Sequence, residues 1–92
     1  MRVVIRQSAQ DDLDRIAGWI AKDNRSAAVR MVSSIRDQIN FLETDELAHM
    51  GRPGFVEGTR ELIERPYIIV YKVYDKKEVV MVLSVFHCGQ DR

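Results

Sequence analysis

The stretch GRPGFVEGTRELIERPYIIVYKVY, residues 51–74, contains the change from loop to sheet on which the fold depends. Three glycines and a proline stand in its first eight residues, a density that disfavours regular structure. Its second half is rich in tyrosine, isoleucine and valine, which suit a pleated and buried surface. Pro66 cannot donate to a strand ladder, so it separates two strands more readily than it lies within one. The stretch therefore predicts a loop that ends near Gly58, a short strand over residues 59–63 and a longer one over residues 67–74.

The segment after this stretch continues the sheet. A polar turn, DKK at residues 75–77, leads into residues 78–87, the most strand-like segment of the chain. Together with residues 67–74 it predicts an antiparallel hairpin. Simple alternation gives this last strand two largely apolar faces. One face would carry Val80, Val82, Ser84 and Phe86, and the other Val79, Met81, Leu83, Val85 and His87.

The chain before residue 51 predicts one strand and two helices. A short β-branched run at residues 3–5 favours a brief strand in the same sheet. Ser8 is placed to cap a first helix, with Asp11 three residues later to reach back. Ser26 is placed to cap a second helix after the polar break at residues 22–24. The short connection between the helices predicts an antiparallel helical hairpin.

These elements predict a single α+β domain over residues 1–92. An N-terminal strand is followed by an antiparallel helical hairpin and then a three-stranded antiparallel sheet, in the order β-α-α-β-β-β. One helical hairpin covers only one side of so small a sheet, so apolar surface is left for a partner. A homodimer would cover that surface equally well.

Composition restricts the function classes. The chain has 14 basic and 14 acidic side chains, so no net field steers it toward nucleic acid or an anionic membrane. It has no apolar run of the roughly 20 residues that a membrane span needs, and one cysteine, Cys88, which favours a reducing cytoplasm. His49 has no second ligand at metal-binding spacing, so we expect neither a metal nor another cofactor. Without a base beside it, Cys88 is not expected to be a catalytic thiol.

The order of motifs resembles a known family. The two helices, the GRPG loop, the GTREL segment, the PYIIVY strand and a strand that ends in V-x-H resemble the RelE/ParE toxins of bacterial type II toxin–antitoxin systems. The resemblance covers nearly the whole chain. It implies a cognate antitoxin as partner, and a toxin–antitoxin heterotetramer is one assembly that it allows.

Two activities are implied by this resemblance. RelE-like members cleave messenger RNA on the ribosome, which requires cations at the reacting phosphate and an acid or base. This chain has Thr59 and Glu61 where such cations are expected, which leaves Arg60 as phosphate clamp and His87 as acid or base. The segment 88–92 also lacks the aromatic residue that several nucleases carry there. The ParE-like members are implied to bind DNA gyrase and trap its cleaved complex, and the GRPG loop, REL segment and YIIVY strand favour this reading.

Candidate contact residues follow from both readings. Contacts to the target or the antitoxin are predicted at Arg52, Arg60, Glu61 and His87. Arg60 and Glu61 are neighbours on a strand and face opposite ways, so each has a structural alternative as an ion pair with the helices or the GRPG loop. An antitoxin segment laid between the helices and the sheet would contact Trp19, Ile20, Phe41 and Phe86. A third reading is an interaction module of the same fold that has lost toxicity.

Overall fold

The computed structural model describes residues 1–89, so the fraying expected at Asp91 and Arg92 lies outside the described residues. Two helices and five strands make up this part. The helices are α1, Gln7–Ala21, and α2, Arg25–Phe41. The strands are β1, Arg2–Ile5, β2, Arg52–Pro53, β3, Arg60–Glu64, β4, Tyr67–Tyr74, and β5, Val79–His87. None of the helices in residues 1–89 combines the length and apolarity needed to cross a bilayer.

The strands form one sheet in the order β1-β5-β4-β3-β2. β1 pairs parallel to β5, and the remaining neighbours are antiparallel. The predicted α+β class is confirmed, as is the place of the N-terminal strand in the common sheet. The two-residue β2 was not predicted, because a strand of that length containing Pro53 has no periodicity to detect. The last predicted strand starts one residue late, since Glu78 has a left-handed φ of 53° and still belongs to the turn.

Both predicted helix caps are wrong. The first helix begins at Gln7, and its N-cap residue Arg6 makes no side-chain cap bond. Ser8 instead donates its hydroxyl to the carbonyl oxygen of Leu83 at 2.9 Å. That carbonyl needs a donor because β1 ends at Ile5 and no longer pairs with β5 at this point. Ser8 therefore closes the sheet edge and does not cap the helix.

The cap of α2 is Asn24, two residues before the predicted Ser26. Its side-chain oxygen accepts from the backbone N–H of Ala27 at 3.0 Å. We expect Asn24→Ala to lower the free energy of unfolding by about 1 kcal/mol, since one helix donor loses its partner. Ser26→Ala is the matched control and should change it by less than about 0.5 kcal/mol. Urea unfolding of both variants measures this, and equal effects would contradict Asn24 as the cap.

The predicted alternation of β5 fails at a β-bulge. Val70 pairs with Ser84 and Tyr71 with Val82, so Leu83 is an extra residue on β5. The bulge shifts the phase of the strand by one residue. Val85 therefore joins Val80 and Val82 in the core, although simple alternation placed it on the opposite face.

The core lies between the helices and one face of the sheet. Leu13, Ile35, Ile39, Ile69 and Tyr71 are almost completely buried there. We call the other side of the sheet the outer face. Loop residues 54–58 follow β2 and precede β3, and two of them, Phe55 and Val56, help to line a cavity with outer-face residues of β4 and β5. The one-sided cover expected of a helical hairpin is thus what the fold shows.

Candidate functional site

The GRPG loop is attached to the helix side of the sheet by a buried hydrogen-bond cluster. The N–H of Gly51 donates to the Tyr71 hydroxyl at 2.9 Å, and Tyr71 is completely buried. Arg60 donates through Nη1 to the carbonyl oxygens of His49 at 3.0 Å and Gly51 at 2.8 Å. The predicted structural alternative for Arg60 was an ion pair, but its hydrogen-bond partners here are backbone carbonyls. Arg60 thus fixes the start of the loop.

Burial changes the acidity of Tyr71. Removal from water raises the pKa of its hydroxyl above the ordinary 10.0, and the Gly51 hydrogen bond and the charge of Arg60 offset part of this effect. The folded state therefore holds this proton at a pH where the unfolded chain has lost it. Stability from this group is complete below pH 10 and is lost as pH rises above it.

We expect a corresponding difference between the wild type and Tyr71→Phe. Above pH 10 the wild type should lose stability with an added slope approaching about 1.4 kcal/mol per pH unit, which the variant lacks. At pH 7 the variant should be less stable by about 1–2 kcal/mol, because the buried Gly51 N–H loses its acceptor. Chemical unfolding between pH 7 and pH 11 measures both, and parallel curves would contradict the account.

Glu61 holds the loop from the outer face. Its carboxylate side chain is 3% exposed, and Oε1 accepts from Nε and Nη2 of Arg52, both at 3.1 Å. Oε2 accepts from the backbone N–H of Phe55 at 3.4 Å. Arg60 and Glu61 thus face opposite ways and fix two parts of one loop. The predicted ion pair between Glu61 and the GRPG loop is present.

The tip of this loop carries exposed apolar side chains. Phe55 is 79% exposed and Val56 63% exposed, yet their backbone is fixed at both ends. Gly54 donates to the carbonyl of Thr59 at 2.8 Å, and Thr59 donates to the carbonyl of Val56 at 3.1 Å. A cavity of about 400 Å³ lies between this tip and the outer face. It is lined by Phe55, Val56, Thr59, Glu61, Val70, Ser84 and Phe86.

His87 lies at the far end of the sheet. Its ring packs edge-on against Tyr67, with 5.6 Å between ring centroids, and its Nδ1 accepts from the N–H of Gly89 at 3.0 Å. A cavity of about 310 Å³ separates it from Trp19 and Arg15 of α1. Trp19 is 69% exposed and lies 5.3 Å from the Lys22 ammonium.

The two candidate nuclease residues are far apart. Arg60 pairs with Tyr71 across β3 and β4, whereas His87 pairs with Tyr67 across β4 and β5. Four residues along β4 and two inter-strand spacings separate their Cα atoms by roughly 16 Å. Arg60 is also engaged by two carbonyls. The described residues therefore do not bring these two side chains to one phosphate.

The four residues predicted to contact the antitoxin lie on two sides of the molecule. Trp19 and Phe41 project from the helices and are more than half exposed, while Ile20 is half-buried against the core. Phe86 lines the cavity on the outer face. Phe55 and Val56 were not named from the sequence, although two large apolar residues in a loop rich in glycine and proline are a usable signal for a presented surface.

Solved structures with this fold belong to toxin–antitoxin systems. The chain is similar to a chain of the chromosomal ParDE system from P. aeruginosa, with a TM-score of 0.80 and 26% identity over 95% of both chains. It also shares its fold with a chain of the RelBE2 complex from Mycobacterium tuberculosis, with a TM-score of 0.69 and 19% identity over 94% of this chain and 95% of that one. The fold is therefore that of the RelE/ParE toxins.

The sequence comparison decides the branch. Residues 3–92 match the family model described as the ParE toxin of the type II toxin–antitoxin system, parDE. The chain is also 39% identical over 80 residues to Y4kP of Sinorhizobium fredii, named as a candidate toxin, covering 85% of this chain and 78% of that protein. The chain belongs to the ParE toxin family, as its motifs predicted.

Proposed function

We propose that this chain is a toxin that inhibits DNA gyrase by binding it, and that a cognate antitoxin neutralises it in the cytoplasm. The separation of Arg60 from His87 is the observation that carries this choice over messenger RNA cleavage. In-line attack at a phosphodiester needs a cation and an acid or base at the same phosphate. A poison that acts by binding needs only a recognition surface, and the fixed loop with exposed Phe55 and Val56 supplies one.

Charge supports the same choice. Affinity for ribosomal and messenger RNA depends on phosphate contacts and grows with the number of cations. This chain has a formal net charge of zero, and Glu61 places a carboxylate on the outer face. Membership of the ParE family adds the expectation of gyrase as target, and the solved ParDE and RelBE structures add the expectation of an antitoxin partner.

Expression in a bacterial host tests whether the chain is toxic at all. We expect growth to stop when the chain is expressed alone and to resume when the antitoxin is expressed with it. Messenger RNA from the arrested cells should show no new cuts at codon boundaries by primer extension. Unimpaired growth of cells that contain the folded protein would favour the non-toxic interaction module of the same fold.

A further inference from the structure

We infer that the outer face of the sheet binds an extended apolar peptide segment flanked by carboxylates, which is the neutralising segment of the antitoxin. This inference rests on the proposed function and assigns a surface to the partner named there. It differs from the sequence-based prediction, which placed the antitoxin between the helices and the sheet. The argument combines the apolar floor of this face, its rigid border and its charged rim.

The floor is a continuous row of apolar side chains across three strands. Ile63 pairs with Ile68, and Ile68 pairs with Phe86, so the three lie side by side on β3, β4 and β5. Val70, two residues after Ile68 on β4, extends the row toward the loop tip. Ile63 is 42% exposed, which is unusual for a central position on a sheet. No helix covers this side, so a bound segment would remove apolar area from water.

Cavities at both ends of the row give the surface depth. The cavity of about 400 Å³ lies beside Phe55 and Val56. A second cavity of about 330 Å³ is lined by Arg52, Ile63, Arg65, Pro66, Ile68 and Cys88. Because Glu61 and Thr59 already fix the loop tip, little conformational entropy would be lost there on binding. The face is thus preorganised to receive apolar side chains at two points.

The charges at the rim select the partner. Arg52 is half exposed and Arg65 is exposed, and both line the second cavity. Lys72 follows Val70 on the same face of β4, with its ammonium 5.3 Å from the Tyr74 ring. Within residues 1–89, neither Arg65 nor Lys72 has a carboxylate within ion-pair distance. Glu57 in the loop is exposed, and the Glu61 carboxylate is already paired with Arg52.

A cationic rim around an apolar floor complements a peptide with apolar residues and acidic flanks. Single-stranded nucleic acid fits less well. Its bases need aromatic platforms, whereas Ile63, Ile68 and Val70 make up most of this floor. The three cations also lie on a chain with no net positive charge.

The test measures the affinity of purified variants for the protein encoded by the antitoxin reading frame that adjoins the toxin gene. We expect Phe55→Ala and Arg65→Glu each to raise Kd at least about 10-fold, and the effect of Arg65→Glu to shrink at high salt. Matched controls away from the outer face are Val29→Ala, which removes an exposed apolar residue of α2, and Lys76→Glu in the turn after β4. Both should stay within about 2-fold. Thermal unfolding confirms that all four variants fold.

Each other outcome overturns the inference in a recognisable way. Unchanged Kd for Phe55→Ala and Arg65→Glu, with the wild type bound, would remove the outer face and leave the proposed function intact. Loss of binding in Val29→Ala alone would move the antitoxin to the helices. A labelled oligouridine that binds the wild type and not Arg65→Glu would assign the face to nucleic acid. A wild type that binds no antitoxin would overturn the partner in the proposed function as well.

Discussion

Replacement of Gly51 by alanine should lower the free energy of unfolding by about 3 kcal/mol, the largest effect expected from any single methyl group in this chain. A Cβ at this position would lie 2.6 Å from the Tyr71 hydroxyl oxygen and 2.8 Å from the carbonyl oxygen of Glu61. Neither atom can withdraw, because Tyr71 is fully buried and the Glu61 carbonyl belongs to β3. The clash would also break the hydrogen bond from Gly51 to Tyr71.

Gly18→Ala is the matched control for this substitution. Gly18 lies within α1, and a Cβ there would have no atom within 4 Å. Alanine has the higher helix propensity, so this variant should be more stable than the wild type by up to about 1 kcal/mol. Thermal unfolding should therefore show Gly51→Ala melting roughly 12–20 °C lower and Gly18→Ala melting slightly higher. A wild-type melting temperature for Gly51→Ala would contradict the packing described for the GRPG loop.

The second large effect is expected at the ion pair between Arg52 and Glu61. Arg52→Met leaves a buried carboxylate without its guanidinium and should lower the free energy of unfolding by about 2 kcal/mol. Because Arg52 is itself half exposed, the full cost of a buried pair is not reached. Glu61→Gln keeps the shape of the side chain and removes its charge, so it should cost only about 1 kcal/mol.

The double variant Arg52→Met/Glu61→Gln separates this pair from two independent contributions. With no buried charge left, it should be about as stable as Glu61→Gln alone, so the two effects are strongly non-additive. Urea unfolding of the three variants at pH 7 gives the coupling energy. Additive losses would show that the two side chains do not depend on each other, contrary to the 3.1 Å contacts between them.

Much of the fold was predictable because its local patterns agree with its packing. The periods of the two helices and of β4, and the break at Pro66, are strong signals, and the structure confirms them. The failures occur where long-range contacts override local rules. Ser8 matches a cap sequence but is needed by the Leu83 carbonyl 75 residues away. The bulge at Leu83 likewise moved Val85 to the core, and no local pattern marks it.

The candidate site was predictable in part. The opposite orientation of Arg60 and Glu61 follows from strand alternation, and the structure shows it. The distance between Arg60 and His87 depends on strand order and register, which one sequence does not specify. The same holds for the outer face, since Ile63, Ile68 and Phe86 become one row only when β3, β4 and β5 pair in this register.

The measurement that tests the central claim most directly is a pair of assays on the purified protein. One measures DNA cleavage and supercoiling by gyrase, and the other measures messenger RNA cleavage on programmed ribosomes. We expect the protein to block supercoiling and to stabilise the cleaved gyrase–DNA complex while the RNA stays intact. RNA cut at codon boundaries with gyrase unaffected would contradict the account, and would make Arg60 and His87 the first residues to replace.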